Sequence, residues 1–195
     1  MTVGVLALQG AFEEHIMMMR RLGVDAFEIR KRGDHHRAFD GLILPGGEST
    51  VIGSLLRELR MMDAIREVVE SGLPVLGTCA GLILLAKHIE GSETNYLGTM
   101  DISVVRNGYG RQLGSSEKRA LFLGKEIEMR FIRAPYIKEV GTKVRVLSTV
   151  DDKIVAAQEG NQLITAFHPE LTNDDTIHRH FLDIIRLNEA MTSKK

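Results

Sequence analysis

The stretch Gly77-Thr78-Cys79-Ala80-Gly81-Leu82-Ile83-Leu84-Leu85-Ala86, GTCAGLILLA, holds the one cysteine of the chain. Glycines stand two residues before it and two after it. Upstream, Leu73 to Leu76 reads as a short buried strand, and Ala80 to Ile89 reads as a helix. A Gly-x-Cys-x-Gly junction between them has the spacing of a sharp strand-to-helix turn that displays a nucleophile. The glycines let strand and helix approach without Cβ clashes, and the central residue takes a strained backbone. Cys79 then sits at a helix N-terminus, whose partial positive charge favours a thiolate. The amide of Ala80 points toward the same place, ready to stabilise an oxyanion. The turn alone leaves a second reading open, because a free cysteine is often a small core side chain.

Outward from that turn, buried strands alternate with amphipathic helices. Val3 to Leu8 is a nearly unbroken apolar run, as expected of a strand covered on both faces. Phe12 to Leu22 follows with Phe12, Ile16, Met19 and Leu22 on one side, and Gly23 closes that helix. Asp25 to Ile29 and Gly41 to Leu44 read as further strands, and Val51 to Val69 carries one long helical periodicity. The second half differs: Ile102 to Val105, Ile127 to Ile132, Val144 to Ser148, Ile154 to Gln158 and Leu163 to Phe167 read as strands joined by short turns, some pairing antiparallel. A last helix spans about Asp174 to Glu189, while Lys31 to Arg37 and Arg106 to Lys118 read as loops. The expected fold is α/β: one domain over residues 1–195, a three-layer sandwich with a mostly parallel central sheet, flanking helices and additional antiparallel strands.

Composition narrows the function classes. Lys+Arg 25 against Asp+Glu 26 leaves a formal charge of −1, so no basic field draws nucleic acid or anionic lipid. A single cysteine forms no internal disulfide, which suits a reducing cytoplasm. The start, MTVGVLALQGAF, lacks a basic leading region and runs into Glu13 and Glu14, so it reads as a first strand rather than a signal peptide. No run is long and apolar enough to cross a membrane.

A catalytic thiol needs a base that later protonates a leaving group. Of the seven histidines, His15 and His88 fall in helical segments, and His35 and His36 in the polar loop. His178 and His180 are two apart in the last helix, on different sides, which opposes a shared metal. His168 differs, because it follows the apolar strand Leu163 to Phe167 and precedes Pro169 and Glu170. Proline holds His168 out of the helical region, and in an extended chain residues two apart point the same way. Glu170 then reaches the outer imidazole nitrogen and fixes the tautomer, while the other nitrogen faces Cys79. Taken alone, the tripeptide reads first as a strand-end histidine beside a solvated glutamate. Cys79 and His168 nonetheless both follow strands of one sheet, at the edge where such folds bind ligands. Leu42-Ile-Leu-Pro45-Gly46-Gly47-Glu48-Ser49 ends at that edge too. The amides of Gly47 and Ala80 make a two-donor oxyanion hole there, and Ser49 is a plausible helix cap.

These three elements, in this order and spacing, resemble the class I, triad-type glutamine amidotransferases. The resemblance is closest to the branch that supplies ammonia to pyridoxal 5′-phosphate synthase. Val5-Leu-Ala-Leu-Gln9-Gly10-Ala11, Leu42 to Thr50, Gly77 to Lys87, Arg106-Asn-x-x-Gly-Arg-Gln112, Phe131-Ile-Arg-Ala-Pro135 and Thr165-Ala-Phe-His-Pro-Glu-Leu-Thr172 carry it over nearly the whole chain. It implies Cys79 as nucleophile, His168 as base and acid, and Glu170 as orienter. It implies Gly47, Glu48, Ser49, Arg106, Ile132 and Arg133 as substrate-binding residues, and places Gln9 and Gly10 near a partner interface. It implies glutamine as substrate, a thioester intermediate, no cofactor and no metal. Ammonia then passes to a synthase subunit within a large hetero-oligomer. Competing readings are a glutaminase serving another synthase, a related cysteine hydrolase, a non-catalytic module of the same fold, and a metal protein using His178 and His180.

Overall fold

The computed structural model describes residues 1–108 and 115–193. In chain order these form β1 (Thr2–Leu6), α1 (Phe12–Arg21), β2 (Asp25–Ile29), β3 (Gly41–Leu44), α2 (Ser49–Glu58), α3 (Met62–Glu70), β4 (Val75–Thr78), α4 (Ala80–Leu85), β5 (Ala86–Ile89) and β6 (Met100–Val105). There follow β7 (Ser115–Phe122), β8 (Lys125–Ile132), β9 (Tyr136–Val140), β10 (Arg145–Val150), β11 (Lys153–Glu159), β12 (Gln162–Thr165) and α5 (Thr176–Thr192).

The main sheet runs β2-β1-β3-β4-β12-β11-β9-β6-β5, with β10 paired to β11. From β2 through β12 every pairing is parallel. β11 is antiparallel to β12, β9 and β10. β7 and β8 form a separate two-stranded ribbon. Every residue of β3 and β4 is buried, which is why these strands read as unbroken apolar runs. Successive side chains leave a strand on opposite faces. A Cβ on Gly77 would lie 2.9 Å from Leu85 on α4, whereas the Thr78 hydroxyl meets His15 on α1 at 3.1 Å. Thus α4 covers one face of the sheet and α1 the other. There α1 meets α5, whose Phe181 and Ile185 pack over Gly41 of β3. The fold is therefore the expected α/β layering. Among the described residues no helix is long and apolar enough to cross a membrane.

Four elements differ from the sequence reading: the strand β9 (Tyr136–Val140), which joins β11 to β6 in the main sheet, has no counterpart in it, and three others change form. The helix expected over Val51 to Val69 is two helices. Arg60 takes φ +54, Met61 N donates to Leu56 O at 2.8 Å, and Arg60 N donates to Arg57 O at 3.0 Å. This is a Schellman cap with arginine where glycine usually stands, drawn shut by burial of Met61 and Leu56. The helix expected over Ala80 to Ile89 stops at Leu85, because Ala86 turns extended and β5 pairs in parallel with β6. A short apolar run does not distinguish helix from strand by itself. The expected loop Arg106 to Lys118 already contains the first residues of β7. Gly110, Arg111 and Gln112 of the glycine-rich motif lie outside the described residues.

Candidate active site

The parallel strands β1, β3, β4 and β12 all point their carboxyl ends at one rim. Gln9 and Gly10 follow β1, Gly46 to Glu48 follow β3, Cys79 follows β4 and His168 follows β12. Crossover connections between parallel strands leave a crevice at that rim.

Cys79 stands on the turn in a rare conformation for a residue with a side chain, φ +47 and ψ −94. Its amide donates to Thr165 O of β12 at 2.8 Å, which fastens the turn to the neighbouring strand. A Cβ on Gly81 would come within 2.0 Å of Leu44 O, so only glycine lets α4 start so close to β3. The Cys79 side chain is nearly buried but lines a cleft of about 670 Å³. Its Sγ lies 4.0 Å from Ile132 O, at the end of β8.

His168 has non-helical φ −104 and ψ 86, as the following proline demands. Its amide donates to Arg130 O on β8 at 2.8 Å. The route to Glu170 differs from the extended one expected, because Pro169–Leu171 is a 3₁₀ turn. That turn folds Glu170 back under the ring, and Nδ1 and Oε1 are 2.7 Å apart. Gly46 lies flat on the imidazole, where a Cβ would sit 2.3 Å from Cε1. Burial lowers the His168 pKa, but the neighbouring Cys79 and Glu170 side chains outweigh it, pushing the group up to about 10; the ring's Nε2 makes no hydrogen bond among the described residues. Burial pushes the Glu170 carboxyl up, against the pull of His168.

The loop after β3 is braced from β1. Gln9 Oε1 accepts the Glu48 amide at 2.8 Å, and Ala11 N donates to Gly46 O at 2.9 Å. Gly10 has φ +101, and a Cβ there would lie 1.9 Å from Gly46 O. Ser49 is the first residue of α2 and is buried, but no side chain caps that helix, so the expected Ser49 cap is absent. Glu48 pairs with Arg133 at the mouth of the cleft, both well exposed.

The same cleft is lined by Gln9, Gly47, Glu48, Ser49, Cys79, Arg106, Ile132, Arg133 and His168. Ala80 is buried next to Cys79 as the first residue of α4, and Glu170 stands behind His168. His178 and His180 diverge: the first pairs with His15, the second with Gln158. Sequence reasoning passed over Ile83, Glu90 and Asn107, which also line the cleft. It also passed over His15, buried beside Thr78 and Glu170. The available signal was helical spacing, since His15 falls on the inward stripe with Phe12 and Met19.

Residues 5–187 match the SNO glutamine amidotransferase family. The pyridoxal 5′-phosphate synthase subunit PdxT of Methanocorpusculum labreanum is 58% identical over 186 residues, covering 95% of this chain and 98% of that protein. The PdxT protein of Haemophilus influenzae (strain PittGG) is 55% identical over 192 residues, covering 96% of this chain and 100% of that protein. A solved glutamine amidotransferase superposes with a TM-score of 0.88 at 45% identity, over 94% of this chain and 98% of that one. PurLQS from Thermotoga maritima shares the fold, with a TM-score of 0.70 at 16% identity.

Proposed function

Since the chain belongs to the SNO glutamine amidotransferase family, we propose that Cys79, His168 and Glu170 carry out the glutamine hydrolysis of that family at this rim. The activity is that of the glutaminase subunit of pyridoxal 5′-phosphate synthase: it releases ammonia from glutamine for a synthase partner in vitamin B6 synthesis. The observation that supports the residue assignment most is that the strained Cys79 turn and the His168 imidazole line one cleft, with the ring's Nδ1 held by Glu170 at 2.7 Å.

In this reading the Cys79 thiolate attacks the side-chain amide carbon of glutamine, and the carbonyl oxygen becomes an oxyanion held by the Gly47 and Ala80 amides. His168, whose raised pKa keeps it protonated at neutral pH, gives its proton to the departing nitrogen. Ammonia leaves and a glutamyl thioester remains. His168 then takes a proton from water as the water attacks, and glutamate departs with Cys79 restored. At the mouth Glu48, Arg106 and Arg133 offer a carboxylate and two guanidinium groups, which suit the ammonium and carboxylate of a free amino acid. Ile132 adds an apolar wall beside the thiol.

Ammonia in water is mostly protonated and then not nucleophilic, so a dry passage into the partner preserves it. We assign the rim around Gln9 and Gly10 to the partner side, and expect a large complex of both subunits in the cytoplasm, with residues 1–195 acting as one glutaminase unit. The test is ammonia release from glutamine with and without the cognate synthase subunit. The parent protein is stimulated by the partner, and Cys79→Ala loses roughly 10⁴-fold or more of the rate. Glutamate release by Cys79→Ala at the parental rate overturns the nucleophile assignment.

A further inference from the structure

A second histidine lies behind the triad, sealed from solvent. His15 of α1 and Glu170 both have fully buried side chains, and His15 Nε2 is 3.4 Å from Glu170 Oε2. The same nitrogen is 3.1 Å from the hydroxyl of Thr78, the residue before Cys79. His15 Nδ1 is 3.0 Å from Nε2 of His178 on α5, also fully buried. The pairing therefore joins helices 163 residues apart to the floor of the site.

The tautomers follow from what is left over. Burial holds both His15 and His178 well below the ordinary histidine range, so both rings are neutral, each with one N–H and one bare nitrogen. His178 Nδ1 is buried with no hydrogen-bond partner among the described residues. An orphaned buried N–H is rarer and costlier than an orphaned lone pair, so the His178 proton belongs on Nε2. It is then donated to His15 Nδ1, and His15 must carry its own proton on Nε2. Its hydrogen bond goes to Thr78 Oγ1, and Glu170 Oε2 lies 3.4 Å from the same nitrogen, outside hydrogen-bond geometry but within reach of the N–H dipole. Oε2 has no hydrogen-bond partner of its own among the described residues, so the His15 N–H is the dipole opposite it.

We propose that His15 is a positioning residue of the triad: its Nε2–H, set by His178, turns the positive end of its dipole toward the second oxygen of Glu170, so that the carboxylate stays charged and its first oxygen stays on His168 Nδ1. The inference rests on the triad assignment above. A carboxylate in a dry site without that donor is driven toward its neutral form, and its grip on the imidazolium weakens. The other charges acting on the network are His168 on His15, Glu14 of α1 on Glu170, and Arg21 of α1 and Asp175 on His178. Glu14 opposes ionisation of Glu170, whereas Asp175 and Arg21 act on His178 in opposite directions.

The experiment measures glutamine hydrolysis by the complex with the synthase partner, for the parent, His15→Leu, His15→Gln and Cys79→Ala. His15→Leu fills the space and removes the donor, whereas His15→Gln restores an amide N–H at similar reach. His15→Leu should lose about tenfold to a hundredfold in kcat with KM for glutamine unchanged. The acid limb of its pH profile should move to higher pH, because Glu170 is protonated more readily. His15→Gln should recover most of both. In ¹⁵N-histidine spectra of the parent, His15 should be protonated at Nε2 and bare at Nδ1. A His15→Leu enzyme with parental kcat or an unmoved acid limb overturns the proposal. So does a loss that His15→Gln fails to restore, or a His15 protonated at Nδ1. Activity in Cys79→Ala instead removes the triad assignment beneath it.

Discussion

The rim of the parallel strands and the β7–β8 ribbon both border the cleft, but different forces hold them. At the rim, glycine backbone lies against backbone or against the His168 ring. Added Cβ atoms at Gly10, Gly46 and Gly81 would strike Gly46 O, His168 and Leu44 O within 2.3 Å. In the ribbon, the inner face buries Ile127, Met129 and Phe131. Its outer face carries the exposed ion pairs Arg119–Glu126 and Arg130–Glu117. Exposed pairs contribute little and are screened by salt. The contrast teaches where rigidity is needed. The thiol and imidazole are set by contacts with no slack, while the ribbon supplies a wall and lends the carbonyls of Arg130 and Ile132 to His168 and Cys79.

The largest effect that would break this comparison is on glycine. Gly81→Ala should cost about 3 kcal/mol or more, because its new Cβ meets a backbone carbonyl that cannot move aside. Gly124→Ala, in the two-residue ribbon turn with φ +83 and open space around it, should cost only about 1 kcal/mol of left-handed strain. Urea denaturation of the two variants checks this, and equal midpoints would erase the distinction.

The next effect concerns buried histidine. His178 is held down to about 3 by burial, whereas the unfolded chain takes up that proton near 6.5. Its folded pKa is depressed, so the unfolded state binds more protons below 6.5. Stability contributed at higher pH is then lost as pH falls from 6.5 toward about 3. His178→Leu should flatten that acid slope by an amount on the order of a few kcal/mol across the range, measured by denaturation at several pH values.

The smallest effect sits where the two regions meet. Arg133 follows β8 and pairs with Glu48 of the rim. Arg133→Ala should raise KM for glutamine about tenfold with little change in kcat. Arg119→Ala, further along the ribbon and away from the cleft, should leave both constants and the melting temperature unchanged. Steady-state kinetics on the two variants separates a substrate contact from a solvated surface charge.

Two helix ends show how much was legible. At Gly23, Val24 N donates to Met19 O and Gly23 N to Arg20 O, and the glycine announced the stop. Arg60 closes α2 with the same pair of bonds, but no local residue marked it. There the deciding force is burial of Met61, a tertiary contact. Similarly, Ala86 leaves α4 for β5 because β6 waits beside it, which a run of leucines and alanine does not reveal. In the site, Cys79, His168 and the Gly46-Gly47 loop stood out because each interrupts an apolar strand. His15 stood among the apolar residues of a helix and was indistinguishable from core.

By itself, the sequence determined the alternation of buried strands and helices, the glycine turn under Cys79, and the proline that keeps His168 out of a helix. These are local: sterics and hydrophobic period act between near neighbours. Only the tertiary structure decided that Glu170 reaches back through a 3₁₀ turn, that Ile132 closes the wall beside the thiol, and that His15 and His178 stand behind the carboxylate. Those contacts join residues brought together by packing, and no neighbour in the chain carries their signal.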